Sequence, residues 1–176
     1  MYTIFTALLF AVTAHAATPR ALVQQFAAAY LKQNSMYGLL EGKDRRAMAP
    51  FLSARLLRVL DDASACQRDW ERQQPKGSTD KPPYVDCCLF FGIPDGNPTS
   101  IEVAAVEAMP GGRTKVIVNC RQKLGRDDIR WRDAVIVTKE NGRYAVDDFV
   151  YDLDRDGALL SQSFKECRGK KWGGGE

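Results

Sequence analysis

Residues Ile129–Asp156, IRWRDAVIVTKENGRYAVDDFVYDLDRD, read as two long β-strands joined at Asn141-Gly142 and followed by an acidic turn. Asn-Gly between strand-forming residues favours a type I′ turn, because both turn positions take positive φ and the twist of that turn matches the strands it joins. The arms, Ile129 to Glu140 and Gly142 to Tyr151, carry the apolar runs Ala134-Val135-Ile136-Val137 and Phe149-Val150-Tyr151. Strict alternation would mean one wet face, so runs of this kind predict a sheet covered in part on both sides. The hairpin is expected at the centre of that sheet.

Working outward, Ser100 to Met109 and Arg113 to Lys123 are two further strand candidates. Their connections, Pro110-Gly111-Gly112 and the five residues Leu124 to Asp128, are short, which predicts an antiparallel meander of four strands. Ahead of them stands the apolar patch Tyr84–Ile93, YVDCCLFFGI, readable as a strand or as an irregular plug, and the turn cluster Pro94 to Pro98. The segment Pro75–Pro83 has three prolines and no large apolar residue and reads as a long exposed loop.

Two helices precede it. Thr18-Pro19 is a helix start, an N-cap followed by proline at the first helical position, and Leu22, Val23, Phe26, Ala27, Tyr30 and Leu31 follow at three- and four-residue steps. The second helix is expected from Ser53 to Gln74, with Leu56, Val59, Leu60, Ala63, Cys66 and Trp70 on one face. Between them, Gln33 to Pro50 reads as a connection with a helical turn. After the hairpin, Gly157 to Arg168 carries Leu159, Leu160 and Phe164 as a short helical stripe, with Asp156 as its N-cap. The fold class is therefore α+β: N-terminal helices packed on a curved antiparallel four-stranded meander, with a short C-terminal helix.

The N-terminal residues Met1–Ala16 contain no Asp, Glu, Lys or Arg, and an apolar run from Ile4 to Val12 precedes Ala14-His15-Ala16. This is the pattern of a signal peptide cleaved after Ala16, and the run is too short to span a bilayer. The expected organisation is a signal peptide over 1–16, one α+β domain over 17–168 and a disordered glycine-rich tail over 169–176. Localisation is then periplasmic or secreted, and the cleaved chain does not span a membrane.

His15 is the sole histidine of the 176 residues and lies in the segment expected to be removed. Without imidazole, Ser-His-Asp and Cys-His nucleophile systems and His-containing metal sites are excluded from the cleaved chain. The net charge of +3, from scattered basic residues, does not point to nucleic acid as a partner. Five cysteines, Cys66, Cys87, Cys88, Cys120 and Cys167, allow up to two bridges in an oxidising compartment. Adjacent Cys87 and Cys88 are poorly placed to bond each other, so one of them is expected to reach Cys66, with Cys120–Cys167 as a second pair. A four-Cys zinc site is the alternative, although the paired C-x₂₋₄-C spacing is missing. No cofactor is indicated.

The helix FAAAYL (26–31), the segment FLSARLLRVL (51–60) and above all GRYAVDDFVYD (142–152) resemble a bacterial family of exported proteins and lipoproteins, domain of unknown function 3828, within the nuclear-transport-factor-2-like, cystatin-like cones. The last segment is similar to that family's Gly-x-aromatic-x-Ile-Asp-Asp-Ile-x-Tyr ending, and the likeness covers Ala21 to Phe164. It implies a cone whose concave sheet face and first helix enclose a pocket, and it implies no established activity. The cysteines and the Pro75–Pro83 loop depart from it.

Within such a cone the candidate pocket residues are Tyr30, Tyr84, Phe90, Phe91, Trp131, Tyr144 and Asp148. Asp147 and Asp148 are adjacent on a strand, so their side chains should point to opposite faces and not act as a pair. One of them facing inward, with Tyr30 or Tyr144, would make a histidine-free hydrolase, lyase or isomerase; the structural alternative pairs the carboxylate with Arg130, Arg132 or a backbone amide. Asp152, Asp154 and Asp156 reproduce the opening D-x-D-x-D-G of a calcium loop, but Ser163 stands where the closing Glu belongs, so calcium is a secondary reading and no metal is assigned. The function expected is a non-enzymatic exported binding or interaction protein, its partner an unknown protein or a small apolar ligand of the cell envelope.

Overall fold

The computed structural model describes residues 16–33, 38–79, 89–91, 97–154 and 157–164. In chain order these hold helices α1 (Pro19–Leu31) and α2 (Gly42–Met48), a 3₁₀ turn (Ala49–Phe51), helix α3 (Ala54–Gln73), strands β1 (Ser100–Ala108), β2 (Thr114–Leu124), β3 (Asp127–Glu140) and β4 (Arg143–Val150), and helix α4 (Leu160–Ser163). The strands form one antiparallel meander in the order β1-β2-β3-β4, so the chain is α+β as its sequence indicates. Tyr84, Cys87, Cys88, Asp156, Cys167, the residues before Ala16 and those after Phe164 lie outside the described residues.

Both helix starts follow from their caps. Thr18 Oγ1 accepts from the Ala21 amide, with Pro19 at the first helical position, and Ser53 Oγ accepts from the Leu56 amide. At the β3–β4 turn, Asn141 (φ 49°) and Gly142 (φ 80°) take the left-handed conformations of a type I′ turn, pairing Glu140 with Arg143.

That hairpin is not central. β4 is an edge strand, and the middle of the sheet is the β2–β3 pair. The sequence suggests a five-residue connection over Leu124–Asp128, whereas the strands turn on Gly125-Arg126 alone, with Gly125 at φ 59° and Leu124 paired with Asp127. β3 therefore begins two residues earlier than Ile129, and Asp128 belongs to the sheet.

Both edges carry additional contacts. Along β4, Leu52 bridges Val146, the Ser53 amide donates to the Val146 carbonyl at 2.8 Å, and Leu159 bridges Val150. Along β1, a register shift between Val103 and Ala105 interrupts the ladder, and Arg20 Nη1 donates to the Val103 carbonyl at 3.1 Å.

α1 crosses the inner face of the sheet, touching β1, β2 and β4. Every second residue of β2 and β3, Val116, Val118 and Cys120 with Trp131, Val135 and Val137, meets Val23, Phe26 and Tyr30 of α1 and Leu56 and Leu60 of α3. Phe26 lies at the centre, its ring 5.2 Å from Phe90 and 5.6 Å from both Phe91 and Phe149.

Cys120 is a free, buried thiol, so the expected Cys120–Cys167 pair is not formed; burial and then the charge of Asp133 push the thiol above its ordinary range. The reason is its strand position: alternation on β2 points Cys120 into the core opposite Trp131. Cys66 is disulfide-bonded. Among the described residues, no helix is long and apolar enough to cross a membrane.

Candidate functional site

Asp147 and Asp148 do not obey simple alternation. The register passes from Val137↔Val146 to Ile136↔Asp148, which leaves Asp147 as the extra residue of a bulge and brings both carboxylates to one guanidinium. Arg55 Nε donates to Asp147 Oδ1 at 2.9 Å, and its Nη2 donates to Asp148 Oδ2 at 3.0 Å and to the Asp147 carbonyl. Ser53 Oγ donates to Asp147 Oδ1 at 2.7 Å. Asp148 Oδ1 accepts from the amides of Phe149 and Ser161, and its Oδ2 from Ser161 Oγ at 2.5 Å. Burial opposes the Arg55 charge, but the hydrogen bonds to Asp147 and then Asp148 hold its pKa above the ordinary value.

Of the partners expected from sequence, Arg130 and Arg132 are elsewhere, whereas backbone amides, those of Phe149 and Ser161, do bond Asp148. This cluster ties α3 and α4 to β4, its bonds engaging Asp147 Oδ1 and both carboxylate oxygens of Asp148.

Among the described residues, the aromatic candidates lie in the packed core or at its margin. Tyr30 is buried, with its hydroxyl donating to Asn97 Oδ1 at 3.1 Å; Phe90 and Phe91 are buried against Phe26. Tyr144 packs at the margin of the core, its ring 5.7 Å from Lys139 Nζ. Trp131 donates from Nε1 to Asp133 Oδ2 at 3.1 Å.

Asp133 is the buried acid that the sequence reading passed over. It faces the interior beside Cys120, and its other oxygen accepts from the Asp152 amide at 2.9 Å. Burial outweighs these two hydrogen bonds and pushes its pKa up to about 6. The folded state therefore holds this proton more tightly than the unfolded chain does. Its contribution to stability is full below about pH 4 and is lost as pH rises through about 6. Asp128 and Asp154, held below the usual carboxylate range by hydrogen bonds from arginine, act in the opposite sense and only at lower pH. Melting temperature measured between pH 4 and 7 should show a falling component that Asp133→Asn removes; an unchanged pH profile in that variant would reject the assignment.

The acidic turn is also engaged. Asp154 takes a two-pronged bond from Arg132, with Nε at 2.9 and 3.1 Å from its two oxygens and Nη2 bonded as well. Asp152 sits in the left-handed region at φ 46°. No group of three metal-ligating side chains occurs among the described residues.

Open surfaces include a groove of about 410 Å³ between α1 and β1, bordered by Leu31, Ile101 and Val103, and the outer face of the sheet at the β2–β3 end. Alternation places Asn119, Arg121 and Lys123 of β2 beside Asp128, Arg130 and Arg132 of β3 on this face, with Arg121 paired directly to Arg130 and Asn119 to Arg132. Two cations directly opposed on a sheet repel. Here Asp128 offsets the repulsion by accepting from both, from Arg121 Nη2 at 2.8 Å and Arg130 Nη2 at 3.0 Å. Asn119, Arg121, Arg130 and Arg132 border an open groove of about 400 Å³ that Ser100, Glu102, Cys120, Trp131 and Asp154 also line.

Arg121 and Arg132 are oriented through Nε and Nη2 and Arg130 through Nη2 alone, so each guanidinium keeps further N–H donors. The local signal was the Gly125-Arg126 turn, which sets every one of these pairings. No family model, curated protein or solved structure matches the chain.

Proposed function

We propose that the chain is a non-enzymatic binding protein of the cell envelope, periplasmic or secreted, that docks a partner protein on the open face of its sheet. The observation that carries this reading is the contrast between the two faces. On the inner face, where a small apolar ligand would enter a cone, Phe26, Phe90, Phe91 and Phe149 pack on one another. On the outer face, three oriented guanidiniums border an open groove. A shallow site of this kind suits a partner surface better than a small molecule, which is normally engulfed over most of its area. Export is supported by the apolar N-terminal run before Ala14-His15-Ala16 and by the resemblance to exported cone proteins.

The test is site-specific photocrosslinking in the native host. A photoreactive residue replacing exposed Asn119 should yield one adduct of discrete mass, while the same residue replacing Glu71, exposed on α3, should not. Equal labelling from both positions, or none from Asn119, would reject docking on the sheet. N-terminal sequencing of the protein from the periplasmic or culture fraction should begin at Ala17; an intact Met1 terminus in the cytosolic fraction would reject export.

A further inference from the structure

Resting on the sheet-face reading, we infer that the groove takes an extended acidic segment of the partner, with carboxylates at every second residue. Arg130 and Arg132 lie two residues apart on one strand and one face, so their side chains rise about 7 Å apart. Alternate side chains of an extended peptide laid along β3 have the same spacing. Arg121, directly opposite Arg130, widens the first position into a two-guanidinium cradle.

Asp128 already shows how that cradle receives a carboxylate, since it accepts from both arginines at once. The planar fork of arginine makes such contacts two-pronged and so selects carboxylate geometry over a point charge. At this end of the face the cations Arg121, Lys123, Arg130 and Arg132 outnumber Glu102, Asp128 and Asp154 by one. The acids are not idle: Asp128 and Asp154 fix the guanidiniums in place, and Glu102 on β1 bounds the groove beside Arg121. The segment enters between β1 and the Asp154 turn, over Asn119, whose amide supplies further donors and acceptors to a backbone.

The probe is a fluorescein-labelled heptapeptide with glutamate at alternate positions, titrated by anisotropy against the purified protein at low salt. It should bind about fivefold or more tighter than a peptide with the same glutamates in one block, and Arg130→Ala should weaken it about tenfold. The Arg130 side chain is 70% exposed and bonded once, so its removal should leave the melting temperature unmoved. Arg130→Lys, which keeps the charge and loses the fork, should recover little of the affinity.

Equal binding of the two peptides, no binding, or affinity indifferent to Arg130→Ala overturns the proposal. So does full displacement by millimolar inorganic phosphate, which would mark a site for any free oxyanion. If the peptide fails while the Asn119 adduct persists, the acidic segment is withdrawn and docking on the sheet stands; loss of the adduct as well withdraws both.

Discussion

Arg55→Ala should lower the melting temperature by roughly 6–12 °C, the shift expected for about 3 kcal/mol in a chain of this length. Removing the guanidinium leaves two adjacent carboxylates, 8% and 7% exposed at their side chains, with no cation between them. Breaking a buried pair from one side costs about 3–5 kcal/mol, and the lower end applies because the Arg55 side chain is itself 40% exposed and water can take part of its place. Arg55→Lys should fall between wild type and Ala, since one ammonium meets one carboxylate but cannot span the Asp147 carbonyl and both side chains. A loss below about 1 kcal/mol for Arg55→Ala, the scale of an exposed pair, would show that water already screens this cluster.

Phe26→Ala should cost about 4 kcal/mol, read as a lower urea midpoint at unchanged slope. The side chain is fully buried, and the rings around it, Phe51, Phe90, Phe91 and Phe149, belong to different parts of the chain. Such a site has little means to collapse around the missing ring, so transfer and cavity terms add. The result also bears on function. A loss near 1 kcal/mol would mean that the inner face is loosely filled, and a ligand space beneath the sheet would have to be reconsidered.

The parts of the fold written in local chemistry were legible: Thr18-Pro19 and Ser53 start helices, Asn141-Gly142 turns a hairpin, and both strands of that hairpin form. Two non-local facts were not. Whether β3–β4 lies at the centre or the edge depends on what covers β4, and the Leu52-Ser53 segment that does so carries no strand pattern of its own. The bulge at Asp147 adds one residue to the ladder, and a single added residue reverses the side-chain parity on which the separation of Asp147 and Asp148 was argued. Arg55 as their partner is ninety-two and ninety-three positions away from them and marked by nothing in its own sequence surroundings. The groove was hidden for a similar reason. Arg130 and Arg132 are visible as alternating residues, but the meeting of Arg130 with Arg121 and Asp128, and of Arg132 with Asn119, depends on a turn two residues long where five were expected.

The treatment of the two sheet margins governs how copies of this chain behave when crowded. A bare margin strand offers a row of unsatisfied amides and carbonyls on which another chain can grow. Along β4 that row is taken up in part by Leu52-Ser53 and by Leu159, and along β1 the irregularity at Ala104 and the Arg20 guanidinium on Val103 interrupt it. Side-by-side growth into longer sheets, the first step toward fibrils, is therefore obstructed at both ends. The docking proposed on the broad side uses guanidiniums in place of backbone groups.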